Sequence, residues 1–350
     1  MTRPLFSICI PNYNYANYIG LTIQSVLNQG FQDFEIIVAD NASTDDSVKV
    51  VLGFQDERIR LIQNPFNVGF APNLDRATEQ ANGQFIILLS SDDLMANGAL
   101  EAYAEVIRGY REKTSAAEDY LMIFAAIDLI DSDGNRTGQR SAQPWLVDTS
   151  HLQIPSLATY TGFEVLQRQM TRLECAGRFA SMCVSRSIYQ AVCGYHTVHT
   201  IDPDTFFSYK CLLLNPTVVY IERPLFQYRM HNQNQRAQER KQGAPRLYFD
   251  RYYHTIEFND KLLSAFGVGI QQKQLVENFL KHTCGEAAIF RALKGEGRRA
   301  WQAFLIASAT YPEQYFRLWE AYLLLLVLLS GPIAPFLSSI WLRLRKHASQ

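Results

Sequence analysis

Two adjacent carboxylates, Asp92 and Asp93, follow a strongly apolar run in the segment IILLSSDDLM at residues 86–95. No lysine or arginine stands beside them in sequence to neutralise their charge. Divalent cations prefer oxygen ligands, and one or two carboxylates usually hold Mg²⁺ together with substrate phosphates. The same acids would also stabilise the start of a following helix. The pair therefore indicates a metal and ligand site, a turn or a helix cap.

The elements that must hold these acids alternate between strand and helix along the first third of the chain. Short segments rich in apolar and β-branched residues predict four strands, and apolar stripes at helical spacing predict helices between them. Such strands are typical of a parallel sheet covered by helices on both faces. We therefore predict an α/β, doubly wound, mostly parallel sheet, in which ligands bind beyond the carboxyl ends of the strands. The four runs are LFSICIP, FEIIVAD, RIRLIQN and QFIILL, at residues 5–11, 34–40, 58–64 and 84–89.

The composition excludes several functional classes. The 350 residues are 47% hydrophobic and 19% charged, as in a folded globular protein, and the net charge of −1 gives no electrostatic basis for binding nucleic acid. The six cysteines show no CxxC pair and no Cys/His zinc spacing, so we expect buried, reduced thiols. The stretch after the first strand, NYNYANY, lacks the GxGxxG pattern of a dinucleotide-binding fold.

Five segments, in order, resemble the family 2 glycosyltransferases, GT-A fold enzymes that transfer a sugar from a nucleotide donor. The resemblance covers about residues 4–235 and implies a GT-A domain that inverts the transferred sugar. It also implies a donor linked to UDP, dTDP or GDP and a Mn²⁺ or Mg²⁺ cofactor. The segments are SICIPNYN (7–14), FEIIVADNASTDDS (34–47), NVGFAPNLDRATEQANGQFIILLSSDD (67–93), IDPDTFF (201–207) and FQYRMH (226–231).

The resemblance assigns a first group of residues to the donor nucleotide. Pro11, Tyr13, Asp40 and Asn41 would line the base pocket, since an aromatic face packs on a base and a carboxylate or amide hydrogen-bonds its edge. Asn67 is assigned to the same nucleotide. Many relatives carry two acids at the positions of Asp40 and Asn41. Asn41 therefore either contacts the base or tolerates a turn conformation after the strand.

The resemblance assigns a second group to the ribose, the diphosphate and the metal. Asp92 approaches the ribose or a metal-bound water, and Asp93 binds the cation that bridges the pyrophosphate. Arg229 and His231 would lie on a loop over the diphosphate, with His231 as a third metal ligand or a phosphate donor. Ser90 stands where many relatives carry a further acid, so one possible ligand is missing. A catalytically inactive binding or scaffold protein of the same fold is therefore the alternative.

Inverting transfer also needs a carboxylate that takes the proton of the acceptor hydroxyl. The family places this base before an aromatic-rich helix, and TIDPDTFFSYK (200–210) resembles that stretch. Asp202 fits the spacing to the two phenylalanines better, and Asp204 is the second candidate. An Asp-Pro turn with helix capping is the alternative role for either residue.

The C-terminal part of the sequence differs in kind from the rest. We expect a catalytic domain at 1–235, a helical extension at 236–312 and a hydrophobic, membrane-associating tail at 313–350. Residues 321–342 carry no charge over roughly the length that spans a bilayer, but glycine and prolines interrupt them and the basic RLRKH follows. A broken or in-plane membrane element, a full span and a pair of soluble helices are the alternatives.

Location and resemblance together indicate the kind of acceptor. The start of the sequence lacks a signal-peptide pattern, so we expect the catalytic domain at the cytoplasmic face of the membrane. A membrane-associating tail beside such a domain indicates a saccharide or lipid-linked saccharide acceptor, as in the synthesis of cell-surface polysaccharides.

Overall fold

A computed structural model of the chain describes residues 3–114, 120–140, 158–172, 179–195, 203–231, 264, 276–277, 279–293 and 297–330. The chain divides into two compact units. The first comprises Met1–Leu166 and Cys175–Asn234, and the second comprises Gln167–Glu174 and Gln235–Gln350. The boundaries predicted for the three domains stay predictions.

Strands and helices alternate from residue 6 to residue 113, as the hydrophobic pattern predicts. This part contains β1 (Phe6–Asn12), α1 (Ala16–Leu27), β2 (Phe34–Asp40), α2 (Ser47–Leu52), β3 (Ile59–Gln63), α3 (Phe70–Glu79), β4 (Phe85–Leu88), β5 (Leu94–Met95) and α4 (Ala99–Lys113). The elements that follow are β6 (Leu121–Ile130), β7 (Arg136–Arg140), β8 (Ala158–Thr161), α5 (Gly162–Arg172), β9 (Cys183–Ser185), α6 (Arg186–Ala191), α7 (Pro203–Leu213) and β10 (Thr217–Arg229).

One mixed sheet joins the strands in the order β3-β2-β1-β4-β9-β6-β10-β5, with β7 beside β6 and β8 beside β10. The strands β3, β2, β1 and β4 run parallel, and so do β6 and β10. The strands β5, β7, β8 and β9 pair antiparallel with their neighbours. The predicted α/β fold is therefore confirmed. The antiparallel strands have only two to five residues, too few for the sequence pattern to indicate their direction.

Alternation along β1 allows helices to cover both faces of the sheet. Phe6, Ile8 and Ile10 point to one face, where they form a buried cluster with residues of α1 and α4. The intervening Ser7 and Cys9 point to the opposite face and are also fully buried. The buried residues of α3 lie outside that cluster and the helix contacts β1 and β2, which places it on the second face.

The register of the parallel strands aligns their carboxyl ends. Phe6 pairs with both Phe34 and Phe85, while Asn12 at the end of β1 pairs with Asp40 at the end of β2. The polar clusters NYNY, ADNASTDD and SSDD follow β1, β2 and β4. The topology therefore brings all three clusters to one edge of the sheet, where α/β folds bind their ligands.

The second unit is helical, as predicted for the C-terminal region. It contains a π-helix (Phe279–Glu286) and the helices α8 (Ala287–Leu293), α9 (Gly297–Thr310), α10 (Pro312–Tyr315) and α11 (Trp319–Ser330). Their apolar side chains, alanines together with larger aliphatic and aromatic residues, form a core of their own. Among the helices that the structure describes, none combines the length and hydrophobicity of a membrane span. Residues 331–342 of the predicted tail lie outside the described residues.

Candidate functional site

Helix α1 fixes the loop that carries the two predicted acids. The Thr22 hydroxyl lies 2.9 Å from the carbonyl oxygen of Ser91 and 2.8 Å from that of Asp93. One turn further along, the Ser25 hydroxyl accepts a hydrogen bond from the N–H of Met95 at 3.0 Å. Thr22 is fully buried, so its hydroxyl must find partners inside the protein. A polar residue in the apolar stripe of α1 was the sequence signal for this link, which our sequence analysis missed.

Asp93 is fully buried in this loop and lacks a complete set of partners. Its Oδ1 accepts a hydrogen bond from the backbone N–H of Arg229 at 2.9 Å, whereas Oδ2 has no hydrogen-bond partner among the described residues. Burial, and then the neighbouring charge of Asp92, raises the pKa of the Asp93 carboxyl well above its ordinary value. Helix α4 begins after Gly98 without a side-chain cap, so the acids do not cap it.

Asp92 pairs with His231, as expected for residues of one site. Asp92 Oδ2 lies 3.0 Å from His231 Nε2. The imidazole is 4% exposed and is flanked by the rings of Tyr15 and Tyr18, at centroid distances of 5.8 Å and 4.9 Å. Its second nitrogen, Nδ1, is buried and has no hydrogen-bond partner in the described part of the chain. The structure therefore brings His231 to the adjacent Asp92 and Asp93, although it lies far from them in sequence.

The side chains at this place are of the chemical types that bind a divalent cation. Two carboxylates and one imidazole are common ligands of Mn²⁺, and Mg²⁺ accepts the carboxylates. The unpartnered Oδ2 of Asp93 is a buried negative group that a cation would neutralise. Over the residues that are described, however, no three His, Cys, Asp or Glu side chains already form a cluster with metal-binding geometry. Asp93 is therefore the residue around which the metal hypothesis is built.

Arg229 does not lie on an open loop, and this part of the prediction is corrected. It is the last residue of β10 and is 2% exposed. Its Nε donates to the carbonyl of Asp92 at 2.9 Å, and its Nη1 donates to the carbonyls of Asp131 and Ser132 at 3.2 Å and 3.0 Å. The guanidinium is directed to backbone carbonyls of two loops, because both loops turn their acceptors toward the end of β10.

Asp40, which is predicted to line the base pocket, is engaged by hydrogen bonds from Asn12 and Ser43. Its Oδ1 accepts hydrogen bonds from Asn12 Nδ2 at 2.9 Å and from the Ser43 hydroxyl at 2.6 Å, and its Oδ2 accepts one from the Ser43 N–H at 2.9 Å. The Ser43 hydroxyl also accepts the N–H of Asn14 at 2.9 Å. Asp40 therefore ties the loop after β1 to the loop after β2.

Asn41 is the centre of a network of amide side chains. Its Oδ1 accepts the N–H of Val68 at 2.9 Å and Nδ2 of Asn64 at 3.2 Å. Its Nδ2 donates to Asn67 Oδ1 at 2.9 Å and to the Gly69 carbonyl at 3.2 Å. Both acceptor positions and both donor positions of the amide are thus occupied. The sequence left two roles open for Asn41, a contact with the base or a residue that tolerates a turn conformation. In the structure the side chain of Asn41 holds a loop, and its backbone is not in the left-handed conformation that some turns require.

The side chains that remain open at this edge are mainly aromatic. Tyr13 directly follows β1 and is 42% exposed, while Pro11 lies within the strand and is partly buried. Asn67 is exposed, and the exposed rings of Phe66 and Phe70 flank its turn. The two phenylalanines were not predicted as site residues. Tyr13 thus has the exposure that stacking on a base requires.

Of the two candidates for the catalytic base, the structure describes Asp204. Asp202 lies outside the described residues, and Asp204 is partly buried in the first turn of α7. The helix is anchored one turn later, where Phe207 stacks on Tyr195 at a centroid distance of 3.9 Å. Lys210 Nζ donates to the backbone carbonyls of Val192 and Gly194, just before Tyr195 in sequence. The choice between the two acids stays a prediction.

Asn41→Asp, which places a second acid after Asp40 as in many relatives, is expected to destabilise this chain. An aspartate cannot donate to Asn67 Oδ1 or to the Gly69 carbonyl, and its second oxygen faces both acceptors. We expect a loss of about 1–3 kcal/mol in the free energy of unfolding, measured by urea denaturation. The control is Asn17→Asp, at an exposed position of α1, with an expected effect of about 0.5 kcal/mol or less. Equal stability of N41D and the parent chain would contradict the network.

Comparison with known proteins agrees with this geometry. Residues 7–169 match the family model described as Glycosyl transferase family 2. The GalNAc(5)-diNAcBac-PP-undecaprenol beta-1,3-glucosyltransferase of Campylobacter jejuni is 32% identical over 143 residues, which are 40% of this chain and 43% of that protein. The UDP-Glc:alpha-D-GlcNAc-diphosphoundecaprenol beta-1,3-glucosyltransferase WfgD of Escherichia coli is 39% identical over 97 residues, or 28% of this chain and 38% of that protein. The matches thus span less than half of these relatives.

The fold is also that of a solved structure, TarS 1-349 of S. aureus in complex with UDP. The two chains superpose with a TM-score of 0.55 at 16% identity, over 91% of this chain and 90% of that one. This likeness shows a shared fold. Residues 7–169 of this chain are thus similar in sequence to the family 2 glycosyltransferases, and the bacterial relatives match within the same family.

Proposed function

We propose that the chain transfers a sugar from a nucleoside diphosphate-sugar to a saccharide or lipid-linked saccharide, with inversion and with the help of a divalent metal. The observation that carries the proposal is the buried Asp93 carboxylate with its unpartnered Oδ2, beside Asp92 and His231. This group lies at the edge of the sheet where the exposed Tyr13 can stack on a base. Base stacking and diphosphate binding are thereby available at one edge.

A uridine nucleotide is the first donor to test. TarS was solved with UDP and with UDP-GlcNAc, and the name of the E. coli relative includes UDP-Glc. The donors linked to dTDP or GDP remain in the proposal as further candidates. Because Asn41 and Asp40 are committed to holding loops, we assign the direct base contacts to Tyr13 and to Nδ2 of the exposed Asn67, whose Oδ1 already accepts from Asn41 and from the N–H of Gly69.

In the proposed reaction, one group of residues acts on the diphosphate side of the sugar and another acts on the acceptor side. Asp93, with Asp92 and His231, would hold a Mn²⁺ or Mg²⁺ ion, which stabilises negative charge on a departing diphosphate. Asp202, or Asp204 in its place, takes the proton from the acceptor hydroxyl. The acceptor oxygen forms a bond to the anomeric carbon while the bond from that carbon to the diphosphate oxygen breaks. The nucleoside diphosphate then leaves with the bonding electrons.

The acceptor and the cellular setting are proposed from the relatives. The C. jejuni and E. coli proteins are named for undecaprenol-linked saccharides, and a Bacillus subtilis relative is named for teichuronic acid biosynthesis. We propose a lipid-linked acceptor in cell-surface polysaccharide synthesis, at the cytoplasmic face of the membrane. Such an acceptor requires the enzyme to work at a lipid surface.

Helix α11 supports contact with that surface. Its charged residue, Glu320, is 2% exposed, whereas Trp319, Tyr322, Leu326 and Leu329 are 55–69% exposed. These four positions share one face of the helix by their spacing. A helix at a water-exposed surface normally turns its charge outward and its apolar stripe inward. We propose that this apolar face lies on the membrane, and that the basic RLRKH segment further along the sequence contacts anionic lipid headgroups.

Asp93→Asn tests the nucleotide site by thermal shift with UDP, dTDP or GDP in the presence of Mn²⁺ or Mg²⁺. The parent chain is expected to gain about 5 °C at roughly 100 times the Kd, and D93N to lose the metal-dependent part of that gain. Since the pKa of Asp93 is raised, its ionised form costs stability at neutral pH. Asp93→Asn should therefore leave the ligand-free Tm unchanged or higher.

The control for this test is Asp133→Asn, at an exposed acid of the turn between β6 and β7. It should keep the full nucleotide response. If no nucleotide shifts the parent chain with either metal, the enzyme proposal fails and the inactive scaffold protein becomes the better explanation.

Asp202→Asn tests the base by separating chemistry from binding. The variant should lose transfer by at least about 100-fold, the scale of general base catalysis, and keep the donor affinity of the parent chain. The matched variant is Asp204→Asn, for which we expect a smaller loss of turnover. Full activity of D202N together with an inactive D204N would move the base to Asp204.

The membrane proposal is tested by sedimentation with vesicles of phosphatidylglycerol and of phosphatidylcholine. The double variant Leu326→Ser/Leu329→Ser should reduce binding to the anionic vesicles by at least about tenfold, because two leucines no longer enter the lipid. Leu52→Ser removes a leucine of similar exposure from α2 and should bind as the parent chain does. Equal binding of the double variant and the parent chain would reject this face as the contact.

A further inference from the structure

The guanidinium of Arg229 joins parts of the first unit that are distant in sequence. Its Nε bonds to the Asp92 carbonyl at 2.9 Å, within the loop that carries the acids. Its Nη1 bonds to the carbonyls of Asp131 and Ser132, in the turn between β6 and β7. Its central carbon lies 5.0 Å from the centroid of the Tyr18 ring, on α1. One buried side chain thus contacts the acid loop, a hairpin turn and a helix.

The main chain of the same residue holds the second acid. The backbone N–H of Arg229 donates to Asp93 Oδ1 at 2.9 Å. The side chain and the backbone of one residue therefore fix both acids, Asp92 through its carbonyl and Asp93 through its carboxylate. This arrangement leaves the Asp92 carboxylate to His231 and leaves Asp93 Oδ2 without a partner.

The hairpin turn is shaped to accept this contact. The Asp131 carboxylate accepts the N–H groups of Asp133 and Asn135, which closes the turn on itself. Gly134 has a φ of +90°, and a Cβ at this position would lie 3.7 Å from Nη1 of Arg229. The carbonyls of Asp131 and Ser132 are therefore held in place as acceptors for the guanidinium.

These contacts require an arginine. The planar guanidinium donates in several fixed directions and stacks on an aromatic ring, whereas a lysine ammonium is a single point on a flexible stem. A lysine at this position would keep the charge but could not reach the Asp92 carbonyl and the hairpin turn together. Charge and geometry can thus be separated by one substitution.

We propose that Arg229 is a positioning residue, which sets the places of Asp92 and Asp93 by clamping their loop to the β6–β7 turn and Tyr18, and that it does not bind the donor diphosphate. The clamp itself is independent of the reaction. Its consequence for metal-dependent nucleotide binding rests on the proposed function.

Hydrogen–deuterium exchange of the ligand-free chain tests the clamp without any nucleotide. In Arg229→Lys, the amides of Asp93 and Ala96, which bond to the carbonyls of Ser90 and Leu225, should exchange at least about tenfold faster. Arg223→Lys is the matched control, since this arginine lies on the same strand and its guanidinium donates to the Gly98 carbonyl. Unchanged exchange in the acid loop of R229K would overturn the proposal.

Tyr18→Leu provides a second variant that removes the ring and leaves the hydrogen bonds of Arg229 intact. It should speed exchange in the same loop, by a smaller factor than R229K. If R229K does not fold, this variant decides the matter, because exchange at the parent rate in Tyr18→Leu would overturn the clamp.

Titration with UDP separates a positioning role of Arg229 from direct binding of the phosphate. It is carried out at a temperature at which R229K and the parent chain are both folded. R229K should bind UDP as the parent chain does without metal, and about tenfold more weakly than the parent chain with Mn²⁺. An equal loss with and without Mn²⁺ would show a direct contact with the diphosphate and overturn the proposal. If the parent chain binds no nucleotide, the proposed function fails, and the exchange experiment still decides the clamp.

Discussion

The buried carboxylate of Asp93 is the group around which the site is organised. One of its oxygens is satisfied by a backbone N–H of Arg229, and the other has no partner in the described part of the chain. The backbone N–H and the charge of Arg229 favour the ionised form of this buried carboxylate only in part, so it either takes up a proton or gains from a further cation. The raised pKa of Asp93 expresses the cost of burying its charge. Groups held in such an unfavourable state are typical of functional sites, because the ligand supplies the missing interaction.

The polar residues at the carboxyl ends of the strands divide into two groups. The side chains of Asp40, Asn41 and Arg229 are engaged by neighbouring loops and hold those loops in place. Tyr13 and Asp93 present an exposed ring and an unpartnered oxygen. Residues of the first group build the edge and residues of the second can bind a ligand. The hydrogen bonds of the first group hold the second group in position in the ligand-free chain.

Much of the fold could be predicted from the sequence, because the apolar runs of β1, β2 and β4 predict parallel strands whose carboxyl ends meet. The roles of individual polar residues could not. Asn41 bonds to Asn67, 26 positions away, and Arg229 bonds to Asp93, 136 positions away. Residue type indicates that such groups form hydrogen bonds, and only the folded chain determines whether the partner is a ligand or another loop. The resemblance placed Asp92 and His231 in one site, but it did not predict the bond between their side chains or the role of Thr22.

Anomalous diffraction from crystals grown with UDP and Mn²⁺ tests the site most directly. The proposed function predicts a manganese peak in contact with the Asp93 carboxylate, and a UDP whose base stacks on Tyr13 and whose diphosphate contacts the same ion. UDP bound away from the carboxyl ends of β1 and β4, or a bound manganese without contact to Asp93, would contradict it.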